Sequence, residues 1–158
     1  MASICNNQTK QSITLHVNHT FGRDVSTNIT LLENPEASRN HAIIAWDGEI
    51  WRIKDVSSNG TFIDQIRINS ACYEELLLGS KIQFGTTDTD IFEVSALSPP
   101  VTGLIPLNEG LAFIPLHDVV ILPIEQSEIM LYLSEDAHWL CEENGQIIPL
   151  HPGDKVGC

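Results

Sequence analysis

Hydrophobic residues occur along this chain in short runs, separated every 8–12 residues by Gly, Pro, Asn or Asp. The runs are rich in Ile, Val, Thr, Phe and Trp, and several alternate with period two, which predicts strands. Candidate strands cover 12–17 (SITLHV), 28–32 (NITLL), 41–46 (HAIIAW), 50–55 (IWRIKD), 61–64 (TFID), 81–85 (KIQFG) and 91–97 (IFEVSAL). In IWRIKD, Ile50, Arg52 and Lys54 oppose Trp51, Ile53 and Asp55, so its two faces differ only partly in polarity. Asp47-Gly48 predicts a tight turn, and Asn59-Gly60 within DVSSNGTFI (55–63) predicts a hairpin turn. No amphipathic helical stretch of useful length is present. The predicted fold is all-β, a sandwich or barrel.

LSPPVTG (97–103) has the prolines and glycine of a linker, read as residues 98–103. Beyond it, residues 104–158 continue in β-like runs whose prolines at 106, 115, 123 and 149 assign several of them to sheet edges. The order strand, turn, Trp-bearing strand, Asn-Gly and Gly-x-Lys-aliphatic recurs there in outline. It is either a degenerate half-repeat of the first part or coincidental β patterning.

Composition narrows the class. With 42% hydrophobic residues among 158, the chain can bury a core. No apolar run reaches the ~20 residues of a membrane helix, and MASICNNQTKQS has no apolar segment of a signal peptide. Cys5, Cys72, Cys141 and Cys158 lack metal-ligand spacing and are expected to be free thiols in the cytoplasm. Glycans at the four N-x-S/T sequons, which begin at Asn7, Asn18, Asn28 and Asn59, would obstruct loops, which favours the same compartment. The net charge of −13 argues against nucleic acid or anionic membrane as a partner. Charge is uneven: residues 1–97 carry 7 basic and 12 acidic side chains, residues 98–158 carry 1 and 9, and all four arginines fall in the first part. Any anion site belongs there.

Three polar clusters fall at strand ends: Gly22-Arg23, SRNH (38–41) and SSNG (57–60). Each alone has a plain structural explanation as a turn or a polar loop. Together, a guanidinium fork at Arg23, a hydroxyl at Ser38 and the polar pair Ser58-Asn59 make an anion-plus-peptide site where sandwich loops gather. No G-x-S-x-G, H-E-x-x-H, P-loop or paired-carboxylate arrangement is present, so an enzyme is not expected, nor a cofactor. His16, His19, His117, His138 and His151 show no metal-ligand pairing, and no metal site is expected.

The order FGRD, ASRNHAII, W-x-I-x-D-x-SSNGTFI and LLLGSKIQFG resembles the forkhead-associated (FHA) domain over residues 12–97, with its GR, SxxH and NG elements in order. The resemblance implies an FHA-like β-sandwich of about eleven strands, here followed by an additional β-rich segment, 104–158. It implies phosphothreonine-peptide binding: Arg23 and Ser38 on the phosphate, Asn59 on the peptide backbone, Ser58 at the pocket wall and Arg39 as a second cation or peptide contact. Gly22 and Gly60 are scaffold positions valued for backbone freedom, and His41 is a buttress whose ring bonds loop backbone. Asp55 is expected to cap the loop. The residue three beyond the phosphothreonine is read by loops such as 67–75. The expected partner is a phosphothreonine protein made by a Ser/Thr kinase, and the chain a signalling adaptor. The net charge suggests tolerance for basic or apolar flanking residues. The alternative is a phosphate-blind structural or self-association module, with the C-terminal segment as the self-associating surface.

Overall fold

A computed structural model describes residues 1–104, 114–116, 119–124, 127–136, 138–151 and 153–156. Among these every regular element is a strand. The chain divides into two compact units, Met1–Pro100 and Val101–Cys158.

The first unit contains eleven strands: β1 (Ala2–Asn6), β2 (Ser12–Thr14), β3 (Asn18–Gly22), β4 (Thr30–Leu31), β5 (Ala42–Trp46), β6 (Trp51–Asp55), β7 (Thr61–Ile63), β8 (Ile66–Arg67), β9 (Tyr73–Glu75), β10 (Lys81–Phe84) and β11 (Ile91–Leu97). They form a six-stranded sheet, β2-β1-β11-β10-β7-β8, and a five-stranded sheet, β4-β3-β5-β6-β9. Period-two alternation sends one face of each inward. Ala2 and Ile4 of β1, Trp51 and Ile53 of β6, Ile82 and Phe84 of β10, and Phe92 and Val94 of β11 are all buried. Ring contacts run through this core: His19 to Phe21 at 4.9 Å between centroids, Phe21 to Phe84 at 5.1 Å, and Phe84 to His41 at 5.3 Å. Each fully buried aromatic ring contributes roughly 2–3 kcal/mol by removal from water.

Four details correct the expectations. The sandwich begins at Ala2, not at residue 12, because β1 pairs with β11 and β2. Its alternation, Ala2, Ile4 and Asn6 inward, is too short and too polar to stand out. The predicted strand 12–17 divides into β2 and β3, which lie in different sheets. Asn59-Gly60 closes no hairpin: β6 belongs to the five-stranded sheet and β7 to the six-stranded one, so SSNG is a crossover between sheets. Only Gly60 there has a positive φ, of 95°, whereas a type I′ turn needs two such residues. The segment read as a linker is also shorter, since β12 (Gly103–Leu104) starts inside it.

In the second unit β12 pairs with β13 (Ile114–Pro115). β14 (Val120–Ile124), β15 (Ser127–Leu133), β16 (Trp139–Glu143) and β17 (Gln146–Pro149) form an antiparallel meander. Ile129, Leu131 and Cys141 are the centre of its small core. Pro123 and Pro149 sit on the two edge strands, where a missing N–H costs no ladder bond. Pro106 lies outside the described residues.

Candidate functional site

The GR, SxxH and NG clusters meet at one end of the first unit, where β3 and β6 finish and β5 and β7 begin. Gly22 is required by crowding: a Cβ there would lie 2.1 Å from the Arg39 carbonyl oxygen and 2.7 Å from Asn28 Nδ2. This corrects the expectation that Gly22 serves backbone freedom. Close approach lets β3 run on into the 38–41 loop, through Arg23 N–H to Ser38 O (3.1 Å) and Asp24 N–H to Arg39 O (3.2 Å).

The internal bonds decide which polar atoms remain outward. Arg23 Nε donates to the Ala37 carbonyl, which pins the side-chain stem and leaves the terminal guanidinium nitrogens of an exposed residue for a ligand. Ser38 Oγ accepts the Ser58 N–H at 3.0 Å, so its own proton remains to be donated. Asn59 Nδ2 donates to Glu36 O at 2.8 Å, leaving Oδ1 as an exposed acceptor. Arg39 is exposed, and its guanidinium bonds none of these groups. Its carbonyl accepts from Asn28 Nδ2 at 2.6 Å.

His41 is fully buried and fixes two of the loops. Its Nδ1 accepts the Ser38 N–H at 3.0 Å, so the ring proton is on Nε2, which donates to Gly60 O at 3.1 Å. Burial holds its pKa below the usual histidine value, against the opposing influence of the Gly60 bond and the Asp55 charge. Asp55 is buried as well. Its Oδ1 accepts from the Ser57 N–H (3.0 Å), the Ser57 hydroxyl (2.6 Å) and the Thr61 hydroxyl (2.9 Å), while Ser57 Oγ accepts the Gly60 N–H at 2.8 Å. The polar DVSS lead-in is thus a cap, with Ser58 and Asn59 left for the rim.

Several contributors carried no signal in the sequence. Asn34, buried, donates from Nδ2 to Phe84 O at 2.5 Å and accepts the Glu36 N–H at 2.9 Å. The Glu36 carboxylate receives the N–H and hydroxyl of Thr86, which hold its pKa below the usual range. Arg67 rests on the loop: a Cβ on Gly60 would lie 2.6 Å from its Nε and 2.9 Å from its Cζ. Partners some fifty residues apart, such as Glu36 and Thr86, cannot be paired by inspecting local pattern. Among the described residues no group of His, Cys, Asp and Glu is arranged to hold a metal ion.

A two-sheet β-sandwich whose loops present a guanidinium, a hydroxyl and an amide at one end defines a class of loop-end recognition modules. Residues 19–85 match the family model of the FHA domain. Mycobacterium tuberculosis EmbR in complex with a low-affinity phosphopeptide is similar at 25% identity with a TM-score of 0.54. That match covers 64% of this chain and 26% of EmbR, so the chain spans about a quarter of that protein's length. The FHA domain of an Arabidopsis thaliana hypothetical protein aligns at 22% identity and TM-score 0.54, covering 65% of this chain and 90% of that one. The FHA domain of a Chlamydia trachomatis protein aligns at 20% identity and TM-score 0.51, covering 60% and 96%. No curated protein matches the chain. The residues that match the FHA-domain model, 19–85, lie within a sandwich that extends from Ala2 to Leu97.

Proposed function

We propose that the chain is a phosphothreonine-dependent protein–protein interaction module, acting as a non-enzymatic adaptor for a partner phosphorylated by a Ser/Thr kinase. One observation carries this reading. The internal bonds of Arg23, Ser38 and Asn59 leave outward a guanidinium, a hydroxyl donor and an amide acceptor, the set that a phosphorylated peptide requires. In this reading Arg23 and Ser38 take the phosphate, Asn59 Oδ1 accepts a peptide N–H, Ser58 lines the pocket and Arg39 adds a flanking cation. Gly22, His41 and Gly60 support them.

The stems are fixed before the ligand arrives, so little side-chain ordering accompanies binding. A few charge-assisted hydrogen bonds of ~1.5–3 kcal/mol each, less association costs, give roughly micromolar affinity, about −8 kcal/mol. Burying the threonine methyl contributes only ~0.8 kcal/mol. A larger preference over phosphoserine then draws on the stiffness of the β-branched side chain.

Fluorescence anisotropy with degenerate phosphothreonine, phosphoserine and unmodified peptide pools tests the reading. Wild type is expected to bind the phosphothreonine pool alone at micromolar concentration. Arg23→Ala is expected to lose ~2–3 kcal/mol, about 30- to 150-fold. Equal binding of phosphorylated and unmodified pools by the folded protein would refute it.

A further inference from the structure

We propose that the outward face of the four-stranded sheet in the second unit is a docking surface for a basic, apolar segment of another protein, one that interleaves aliphatic side chains with Lys or Arg. The inference is independent of the phosphopeptide reading.

Strand register gives apolar side chains to both faces of the meander. Ile129, Leu131 and Cys141 face the small core, with Val120, Leu122 and Trp139 packed against them. The alternate positions face away. Ile121 pairs with Met130, Met130 with Glu142, and Glu142 with Ile147, which makes one row across all four strands. Ile121, Met130 and Ile147 are 51%, 37% and 57% exposed. Tyr132, Leu140 and Pro149 form the neighbouring row on the same face. The sheets of the first unit differ: their outward rows, Cys5-Glu93-Lys81 and Asn18-Ala45-Arg52-Glu75, bring charged side chains to water. Strands that are apolar on both sides have the pattern of strands covered on both sides. An apolar face left open in this way marks an interaction surface.

Charge selects the occupant. Glu142 lies within the row, between Met130 and Ile147, and Glu128 lies on the same face two residues before Met130. Among the described residues neither carboxylate is in an ion pair. A purely apolar partner would bury both charges uncompensated. A second copy would bring the same carboxylates against them, from a segment whose residues 98–158 hold 9 acidic side chains and 1 basic one. An anionic membrane would repel them as well. A segment that carries Lys or Arg among aliphatic residues covers the apolar row and pairs both carboxylates. Glu128 and Glu142 are one strand and two residues apart, roughly 8 Å. Cations at i and i+2 of a strand, or at i and i+4 of a helix, span about that distance.

Fluorescence anisotropy on the full-length protein tests this with short labelled peptides of Leu and Lys, one patterned as a strand and one as an amphipathic helix, and with counterparts in which Glu replaces Lys. Salt is held at ~0.15 M, where charges beyond about 8 Å are screened. Ile147→Ser and Glu142→Lys alter the face. Glu135→Lys makes the same charge change in the β15–β16 turn, five positions along the chain from Met130. At least one Lys peptide is expected to bind and neither Glu peptide. Ile147→Ser and Glu142→Lys should each weaken binding by roughly five- to ten-fold, and Glu135→Lys by less than about two-fold. The proposal is overturned if no Lys peptide binds, or if Glu135→Lys weakens binding as much as Glu142→Lys, which would mean diffuse attraction to an acidic chain. A concentration-dependent dimer in sedimentation that Ile147→Ser abolishes would also overturn it, since a second copy would then cover the face.

Discussion

His19 and His41 solve the same problem at opposite ends of the β3–β5 pair. Each is buried, each accepts on Nδ1 a backbone N–H from three residues before it, and each has Nε2 bonded to an oxygen, on Thr30 for His19 and Gly60 for His41. A protonated ring cannot accept at Nδ1, so both loops require neutral imidazole. Burial, assisted by the neighbouring His16, lowers the His19 pKa to about 3, and burial lowers that of His41 as well. Above pH ~6.5 neither the folded nor the unfolded chain protonates them, and their contribution is complete. Below that the unfolded chain takes up protons that the folded chain refuses, so stability falls with pH by up to ~1.4 kcal/mol per unit per histidine. Carboxyls with lowered pKa, such as Asp24 and Asp47, act with the same sign but only in the acid range. Urea unfolding is therefore expected to show a loss of about 1–3 kcal/mol between pH 7.5 and 5.5. The slope should be shallower in His19→Gln; a pH-independent midpoint would contradict the assignment. The buttress role of His41 was legible from its place in SxxH, but that of His19 was not. Nothing next to His19 in sequence announces Thr30 as its partner.

At the scale of elements, the loop 34–38 is held from both sides. Asn34 ties it to the end of β10, Glu36 ties it to Thr86, and Asn59 reaches across from SSNG to the Glu36 carbonyl. Asn34→Ala leaves the Phe84 carbonyl and the Glu36 N–H without partners, at a cost of ~1–3 kcal/mol. In thermal unfolding and peptide titration together, this variant is expected to be less stable and to bind phosphothreonine peptide more weakly. It should keep the preference for phosphorylated over unmodified peptide, because Arg23 and Ser38 are unchanged. Unaltered affinity would show that the loop orders without its clamp. The two Asn-Gly pairs show how far local pattern reaches. Asn144-Gly145 has positive φ at both residues and joins β16 to β17 as a two-residue hairpin, as the dipeptide predicts. Asn59-Gly60 carries the same signal and is a crossover. The difference lies in which sheet receives the next strand, a choice made by packing.

For the whole molecule, the contribution of β1 is the sharpest test. Ala2 and Ile4 are fully buried, and β1 lies between β2 and β11 in the six-stranded sheet. Expressed as 1–100, the first unit is expected to fold cooperatively and bind peptide. A 12–100 fragment should be unfolded or molten by near-UV circular dichroism. Ile4→Ala in the full chain should cost ~2–5 kcal/mol. A native-like 12–100 fragment would show that β1 is dispensable.

Period-two alternation, turn residues and the spacing of GR, SxxH and NG predicted by themselves an all-β fold and the gathering of Arg23, Ser38, Ser58 and Asn59 at one end of it. Strand formation and turn chemistry depend on residues a few positions apart. Tertiary structure alone decided that the sandwich starts at Ala2, that β6 and β7 part between two sheets, and that Asn34, Glu36 and Thr86 brace the loops. It also laid Arg67 against Gly60. Those outcomes join residues distant in sequence through shared burial and hydrogen bonding, and such pairings exist only once the sheets have packed.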